Sequence, residues 1–403
     1  MKLEWTLLCC RCIRTLVVGD TLDKVWNHVQ FRLSANDMRM VRSVPQGGNW
    51  RDIPLDIPSK RLEQIRKSGG RTTLYGRLRL DKPSFTINTY INRPGNGTHI
   101  HPLQDRVLTI REAARLQTFP DSVRFHGSAA KQLKQVGNAV PPLLGRAVGM
   151  MLREMNPNAR SAVDLFAGAG GLSLGLEWAG FRTICASDFD ADAARTYQSS
   201  HKSTPFVIGD ITKESVKDEI LQTVASQPVD LLAGGPPCQG FSMAGKRMID
   251  DPRNALFKEF LNIAAALSPA LLLMENVSGI LSMEKGQTLQ SIKSALAEIG
   301  YQSRVVQLNA VDYSCPQRRK RVFIIASRAE KLLGRLNSKH QFCEVPLTVA
   351  DAISDLPEPN ATEPVEITSN PHSGFQSWAR GHVSTENYLL QRDSLSLSKG
   401  LFD

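Results

Sequence analysis

Little in this sequence of 403 residues would tie it to a membrane or to the outside of a cell. Its longest apolar region, "IAAALSPALLLM", is broken by Ser268 and Pro269 and falls short of the roughly 18 residues that a spanning helix needs. The opening "MKLEWTLLCCRCIR" has Glu4 before its apolar stretch and Arg11 soon after, too short a run for the roughly 7 to 15 residues of a secretory signal core. Seven cysteines, at 9, 10, 12, 185, 238, 315 and 343, are odd in number and follow no disulfide spacing. A reducing cytoplasm is therefore expected. The eight histidines form no ligand spacing with these thiols, and "CCRC" at 9 to 12 lacks a second ligand pair, so no metal is expected. There is no internal repeat and no low-complexity tract.

What is present is an ordinary globular composition. At 41% hydrophobic content the chain can bury a sizeable core, with room for about two or three domains. Lysine and arginine outnumber aspartate and glutamate by 49 to 39, a net charge of +10 that favours a polyanionic partner without identifying one.

From Ser161 the chain alternates short β-branched or leucine-rich runs with amphipathic ones: "SAVDLF", "GLSLGLEWAG", "RTICAS", "DADAARTYQSS". The rhythm continues through "TPFVIGD", "VDLLAGG", "NALFKEFLNIAAAL", "ALLLMENV", "QTLQSIKSALAEIG", "QSRVVQLNA" and "RVFIIAS". This predicts one α/β domain over about residues 161 to 330, a twisted and largely parallel sheet covered on both faces. Residues 1 to 70 and 331 to 403 lack that rhythm and read as loop-rich recognition surface. Between 71 and 125, "TLYGRLRL" and "SFTINTYI" read as short strands separated by turn signals such as "RPGNG". A helical run, "LLGRAVGMMLREM", closes the stretch 126 to 160 at the linker "NPNAR".

The chemistry gathers at predicted strand ends. "DLFAGAGGLSLGLEWAG" puts a glycine turn between a strand and a helix, where backbone N–H groups can face a nucleotide-like cofactor. The dinucleotide fingerprint asks for a third glycine where Ser173 stands, which argues against NAD and leaves other adenosine cofactors open. Asp188 follows Gly168 by twenty residues, placed to accept ribose hydroxyls, and Asp210 ends the third strand. Either acid alone would read equally well as a helix cap or a solvated turn residue. "GGPPCQGFS" then sets Cys238 in a rigid turn after a strand, the context of a nucleophile rather than of a buried core thiol. Glu275 ends "LLLMENV" and could donate a proton if burial raised its pKa. "CPQRRKR", 315 to 321, could be a solvated basic face, but Arg319 and Arg321 alternate into a strand and so point the same way.

Together these elements, in this chain order, resemble the DNA cytosine-5 methyltransferase family. "DLFAGAGGLSLGLEWAG" looks like its motif I, "ASDFDADAARTY" like motif II, "GD" at 209 to 210 like motif III, and "GGPPCQGFS" like motif IV. "MENV" looks like motif VI and "DYSCPQRRKRVFIIAS" like motif VIII. The resemblance implies the S-adenosylmethionine-dependent methyltransferase fold, a Rossmann-like mixed sheet with helices on both faces, plus a smaller loop-rich target-recognition domain. It implies S-adenosyl-L-methionine as cofactor, bound by Phe166, Ala167, Gly168, Gly170, Gly171, Asp188, Phe189, Asp210, Ile211, Pro236, Asn138 and Val140. Asn138 would also brace the loop that carries the catalytic groups. It implies that Cys238 attacks C6 of cytosine, that Glu275 engages N3, and that Arg319 and Arg321 hold the ring.

The order of the motifs departs from the family's. "GRLRLDKPSFTINTYINRPGNGTHIHPLQDRVLTIREAARLQTFPD", within 71 to 125, resembles motif IX, and "QVGNAVPPLLGRAV", within 126 to 160, resembles motif X, yet both precede motif I. A circular permutation is expected, with the target-recognition domain split between 1–70 and 331–403. Asp188 stands where the family has glutamate, and Ser314 and Cys315 stand where it has glycine and a small apolar residue; Cys315 reads as structural. The partner implied is double-stranded DNA, from which the target base must be flipped. The expected setting is a bacterial or phage-encoded, nucleoid-associated cytoplasmic monomer, which a cognate restriction endonuclease could accompany. An RNA cytosine-5 methyltransferase and a catalytically silent DNA-binding protein of the same fold are the alternatives.

Overall fold

A computed structural model of the chain describes residues 24–237, 255–336, 346–360 and 363–397. Cys238 and the cysteines at 9, 10, 12 and 343 lie outside those residues. Seven strands form the central sheet: β1 (Ser161–Leu165), β2 (Arg182–Asp188), β3 (Phe206–Ile208), β4 (Leu231–Gly234), β5 (Leu271–Val277), β6 (Gln302–Asn309) and β7 (Lys320–Ser327). Their spatial order is β3-β2-β1-β4-β5-β7-β6. All neighbours run parallel except β7, which is antiparallel to both β5 and β6. The order reverses between β1 and β4, so the crevice where an open α/β sheet binds its ligand opens beyond the carboxyl ends of those two strands.

The alternation in each strand sorts its side chains between two cores. Leu271 and Leu273 join one cluster with Ala162, Ala233, Phe323 and Ile325, while Leu272 and Met274 join the other with Val163, Leu232, Val322 and Ile324. Nearly continuous apolar strands are what a sheet covered on both faces requires.

Helices labelled in chain order are α1 (Ala35–Ser43), α2 (Lys60–Ser68), α3 (Ile110–Leu116), α4 (Ala129–Asn138), α5 (Pro142–Met155), α6 (Gly171–Trp178) and α7 (Ala191–Ser200). α5 starts on Pro142 and buries Leu143, Leu144, Ala147, Val148, Met151 and Leu152, one helical stripe. It crosses α6 backbone to backbone. A Cβ on Gly175 would lie 2.3 Å from the Pro142 carbonyl oxygen, and one on Gly149 would lie 2.6 Å from Ala179 Cβ. Only glycine permits that approach, so the packing explains a glycine-rich α6 as well as the turn before it.

The two flanking segments meet. Lys24–Val25 pairs antiparallel with Val365–Glu366, Val29 bridges Asn360, and the His28 ring bonds the Pro357 carbonyl at 2.8 Å and Thr109 Oγ1 at 2.9 Å. Behind the seam lies a buried ionic hub. Arg115 holds Asp121 through two bonds of 3.0 and 2.6 Å and Asp355 at 2.5 Å, and Arg380 donates to Asp355 at 2.7 Å. Residues 31 to 100 have a separate small core of Met40, Val41, Trp50, Ile53, Leu62 and Ile65.

The expected strands between 71 and 125 are corrected. Gly76–Arg77 and Thr98–Ile100 are the strands that form there among the described residues, whereas "SFTINTYI" is not a strand and makes a single β-bridge, Ser84 to Gln317. Its backbone groups are satisfied elsewhere: Ser84 N–H reaches the Pro316 carbonyl at 2.9 Å and Ile87 N–H reaches Gln317 Oε1 at 2.8 Å.

Candidate active site

The turn after β1 is strained in a way that local sequence does not require. Phe166 adopts φ 59°, which a non-glycine residue seldom occupies, and Gly168 follows at 55° and Gly170 at 83°. A Cβ on Gly168 would meet nothing within 4 Å, so the loop leaves open space at the strand ends. Gly171 differs: its missing side chain makes room for the Val140 carbonyl oxygen, 2.3 Å from where a Cβ would sit. The 138–140 turn thereby abuts the start of α6, bringing exposed Asn138 and buried Val140 beside the glycine loop.

Asp188 ends β2 and ties the loop down. Its carboxylate accepts the Gly168 N–H at 2.9 Å and the Asp190 N–H at 2.9 Å, one on each oxygen, and each oxygen keeps further acceptor capacity. Burial raises its pKa. Phe189 beside it is 74% exposed and Ile208 48%, two large apolar surfaces at adjacent strand ends. Asp210 accepts both the N–H and the hydroxyl of Thr212, which holds its carboxyl below the usual range. Ile211 turns its side chain into the core beneath, so any contact it makes in the crevice is through its backbone.

Across the switch point, β4 and β5 are in register with Gly234 opposite Met274, which sets Gly235 and Pro236 over Glu275. A Cβ on Gly235 would lie 3.3 Å from Glu275 Oε2, and Asn276 Nδ2 donates to the Pro236 carbonyl at 3.2 Å. Glu275 forms an ion pair with Arg321, Oε1 to Nε 2.7 Å, with both side chains nearly covered. Burial raises the Glu275 pKa against the opposing fields of Arg321 and Arg319.

Arg319 is fully buried within the field of Glu275, and its guanidinium donates to the backbone carbonyls of Ile87 at 2.8 Å, Gly137 at 2.7 Å and Ala139 at 3.0 Å. Arg319 and Arg321 do alternate, but the 137–139 turn covers the first of them. Arg319 is thus a positioning residue for the turn that bears Asn138 and Val140. Gln317 works beside it, donating to Gln117 Oε1 at 2.8 Å and accepting from Ile87 N–H.

Below the glycine loop lies a buried polar chain. Tyr197 donates to Ser173 Oγ at 2.9 Å, and Ser173 donates to Asp164 Oδ2 at 2.6 Å. Burial pushes the Asp164 carboxyl up to about 7 and that of neighbouring Glu177 up to about 7. Serine rather than a third glycine at 173 therefore has a physical reason: it satisfies a buried acid. Cys315 is fully buried in the core. Among the described residues, no group of three or more His, Cys, Asp or Glu could hold a metal ion, and no helix is long and apolar enough to cross a membrane.

Residues 15–154 and 161–392 match the model of the C-5 cytosine-specific DNA methylase family. The chain belongs to that family. It is 40% identical over 246 residues to the Type II methyltransferase M.DdeI of Desulfomicrobium norvegicum, a match covering 58% of each chain. It is 38% identical over 222 residues to the Type II methyltransferase M.AquIA of Picosynechococcus, covering 49% of this chain and 89% of that one. Among solved structures, the S. pombe Dnmt2 methyltransferase aligns with 24% identity and a TM-score of 0.34, over 42% of this chain and 50% of that one. The chain spans less than two thirds of the length of M.DdeI.

For a C-5 cytosine methylase, the informative residues that the sequence does not single out are Asn276, Gln317 and Asp164. Asn276 and Gln317 lie inside quoted motifs, yet their bonds reach segments 40 and about 200 residues away. No local period signals such contacts. Asp164 was concealed within an apolar strand, where only its burial sets it apart.

Proposed function

We propose that this protein transfers a methyl group from S-adenosyl-L-methionine to C5 of a flipped cytosine in a specific duplex DNA sequence, as a restriction-modification or phage methyltransferase. Membership of the family supports the reaction class. The observation that carries the reading is the Glu275–Arg321 pair beside Gly235 and Pro236, which in the sequence stand three and two residues before Cys238. A cytosine placed there meets an acid whose burial keeps its proton available and a cation that orients that acid.

The crevice suits the cofactor. Open space at Gly168, the aromatic face of Phe189, the acid of Asp188 at the adjacent strand end and the 138–140 turn offer a cradle of the shape and polarity that an adenosine moiety requires. Phe166, Ala167, Gly170, Gly171, Asp210, Ile211 and Pro236 would complete it. Bound there, S-adenosyl-L-methionine supplies an electrophilic methyl group. The chain's own task is to make C5 nucleophilic. The Cys238 thiolate adds to C6, Glu275 protonates N3, and the electron pair is carried to C5; Arg321 holds Glu275 in line. Once C5 is methylated, loss of its proton to water expels the thiolate, and N3 gives its proton back to Glu275, which restores the neutral ring.

We also infer that the chain is circularly permuted. The motif IX and X segments precede β1, α5 packs on α6 with only residues 156–160 between it and β1, and the flanking segments pair at the 24–25 and 365–366 seam. The test of function is Cys238→Ser, expected to abolish transfer of labelled methyl to DNA while retaining S-adenosyl-L-methionine binding. A variant that methylates as fast as the parent removes Cys238 as nucleophile.

A further inference from the structure

The two flanking segments differ in charge. Residues 1–70 contain twelve Lys and Arg against seven Asp and Glu, a net of +5, and residues 331–403 contain six against nine, a net of −3. Among the described residues the contrast is sharper between 24–105, which runs on into the motif IX stretch and carries a net of +8, and 346–397, which carries a net of −5.

The structure shows where those charges point. Arg32, Lys60, Lys67, Arg71, Lys82 and Arg93 are exposed and make no ion pair among the described residues. Helix α2 is two-faced: Leu62 and Ile65 enter the small core, and Lys60, Glu63, Gln64 and Lys67 form its outer face, two cations to one carboxylate. Arg71 follows just past the Gly69 cap. The carboxyl-terminal segment turns its anchors inward. Phe375, Trp378 and Tyr388 pack on one another and on Trp178 of α6, Asp355 and Arg380 belong to the buried hub, and Glu358, Glu363, Glu366 and Glu386 face water. Neither of the two arginines in 346–397 is exposed.

We propose that, of the two flanking segments, the amino-terminal one contacts the DNA duplex, with Lys60, Lys67 and Arg71 on phosphates, and that the acidic carboxyl-terminal segment is the scaffold holding it against the catalytic domain. The inference rests on DNA being the substrate. A polyanion approaching exposed Glu358, Glu363 and Glu386 is repelled, Glu366 being paired with Lys24, whereas α2 carries a net cationic charge on a rigid element with its own core. The expectation that the target-recognition domain is split between both chain ends is thereby narrowed to one of them for phosphate contact.

The test measures affinity of the full chain for a fluorescein-labelled mixed-sequence duplex of about 30 base pairs, across about 50 to 200 mM salt. Replacing Lys60, Lys67 and Arg71 together by glutamine should make the log–log salt slope shallower by about 2.7, from 0.9 for each of three phosphates. The double variant Glu358→Gln, Glu386→Gln should leave the slope as in the parent. A parent that binds with a steep slope that the triple variant retains, or that the glutamate variant alters as much, overturns the inference alone. A parent that binds no duplex overturns the DNA reading with it.

Discussion

Arg319→Met separates the two roles that an arginine at this position could have. Methionine has a similar length and no donors, so the substitution removes three hydrogen bonds and leaves the carbonyls of Ile87, Gly137 and Ala139 without them. A buried carbonyl deprived of its partner costs about 1–3 kcal/mol, which sets a range of about 3–9 kcal/mol for three. Removing a buried cation returns several kcal/mol of desolvation, so the net loss should fall near the lower end, about 3–5 kcal/mol. Against a total stability of roughly 5–15 kcal/mol, that is large. Urea unfolding followed by tryptophan fluorescence should show it, and equilibrium dialysis should show weaker S-adenosyl-L-methionine binding because the 138–140 turn is released. Arg321→Met should behave differently: Glu275 can take up a proton when its partner is gone, so the chain stays folded and kcat falls. If Arg319→Met unfolds at the parent's urea concentration and binds cofactor normally, yet loses turnover, then Arg319 acts on the substrate and the reasoning fails.

Burial raises the Glu275 pKa, so its acid form persists to higher pH than in an ordinary glutamate, and the methylation rate should fall as pH rises through that value. Glu275→Gln should cost about 10²- to 10⁴-fold in single-turnover rate and erase that alkaline limb; a limb that survives belongs to another group. Asp164 titrates near 7 when folded against 3.8 ordinarily, so between those values the native state binds the extra proton and stability declines as pH rises. Asp164→Asn should therefore flatten the pH dependence of the unfolding midpoint over that interval, and unchanged dependence would remove Asp164 as its source. Gly175→Ala forces a Cβ to 2.3 Å from the Pro142 oxygen and should cost about 1–3 kcal/mol in urea unfolding, whereas Gly279→Ala, with nothing within 4 Å, should cost little.

The sheet was legible because each strand is a short apolar run bounded by turn residues, and the strand-end acids followed from it. Cys238 is read from the sequence alone, since it lies outside the described residues. The arginine pair was half legible. Period-two alternation pairs Arg319 with Arg321, but the partners of Arg319 come from residues 137 to 139, about 180 residues distant. "SFTINTYI" failed for the same reason: its β-forming composition is real, but the backbone bonds that decide its structure come from residues 316 to 318. The charge contrast between 24–105 and 346–397 was open to counting from the start. Its meaning needed the burial of Asp355 and Arg380 to tell working surface from internal brace.

The bare contact between α5 and α6 has a mechanical corollary. With no side chains interposed at Gly175 and Gly149, these helices cannot slide without backbone collision, so the glycine loop and the 138–140 turn travel as one body. An arriving ligand would find that wall already set. Any yielding must come from the opposite rim, where the uncovered rings and alkyl groups of Phe189 and Ile208 are free to swing.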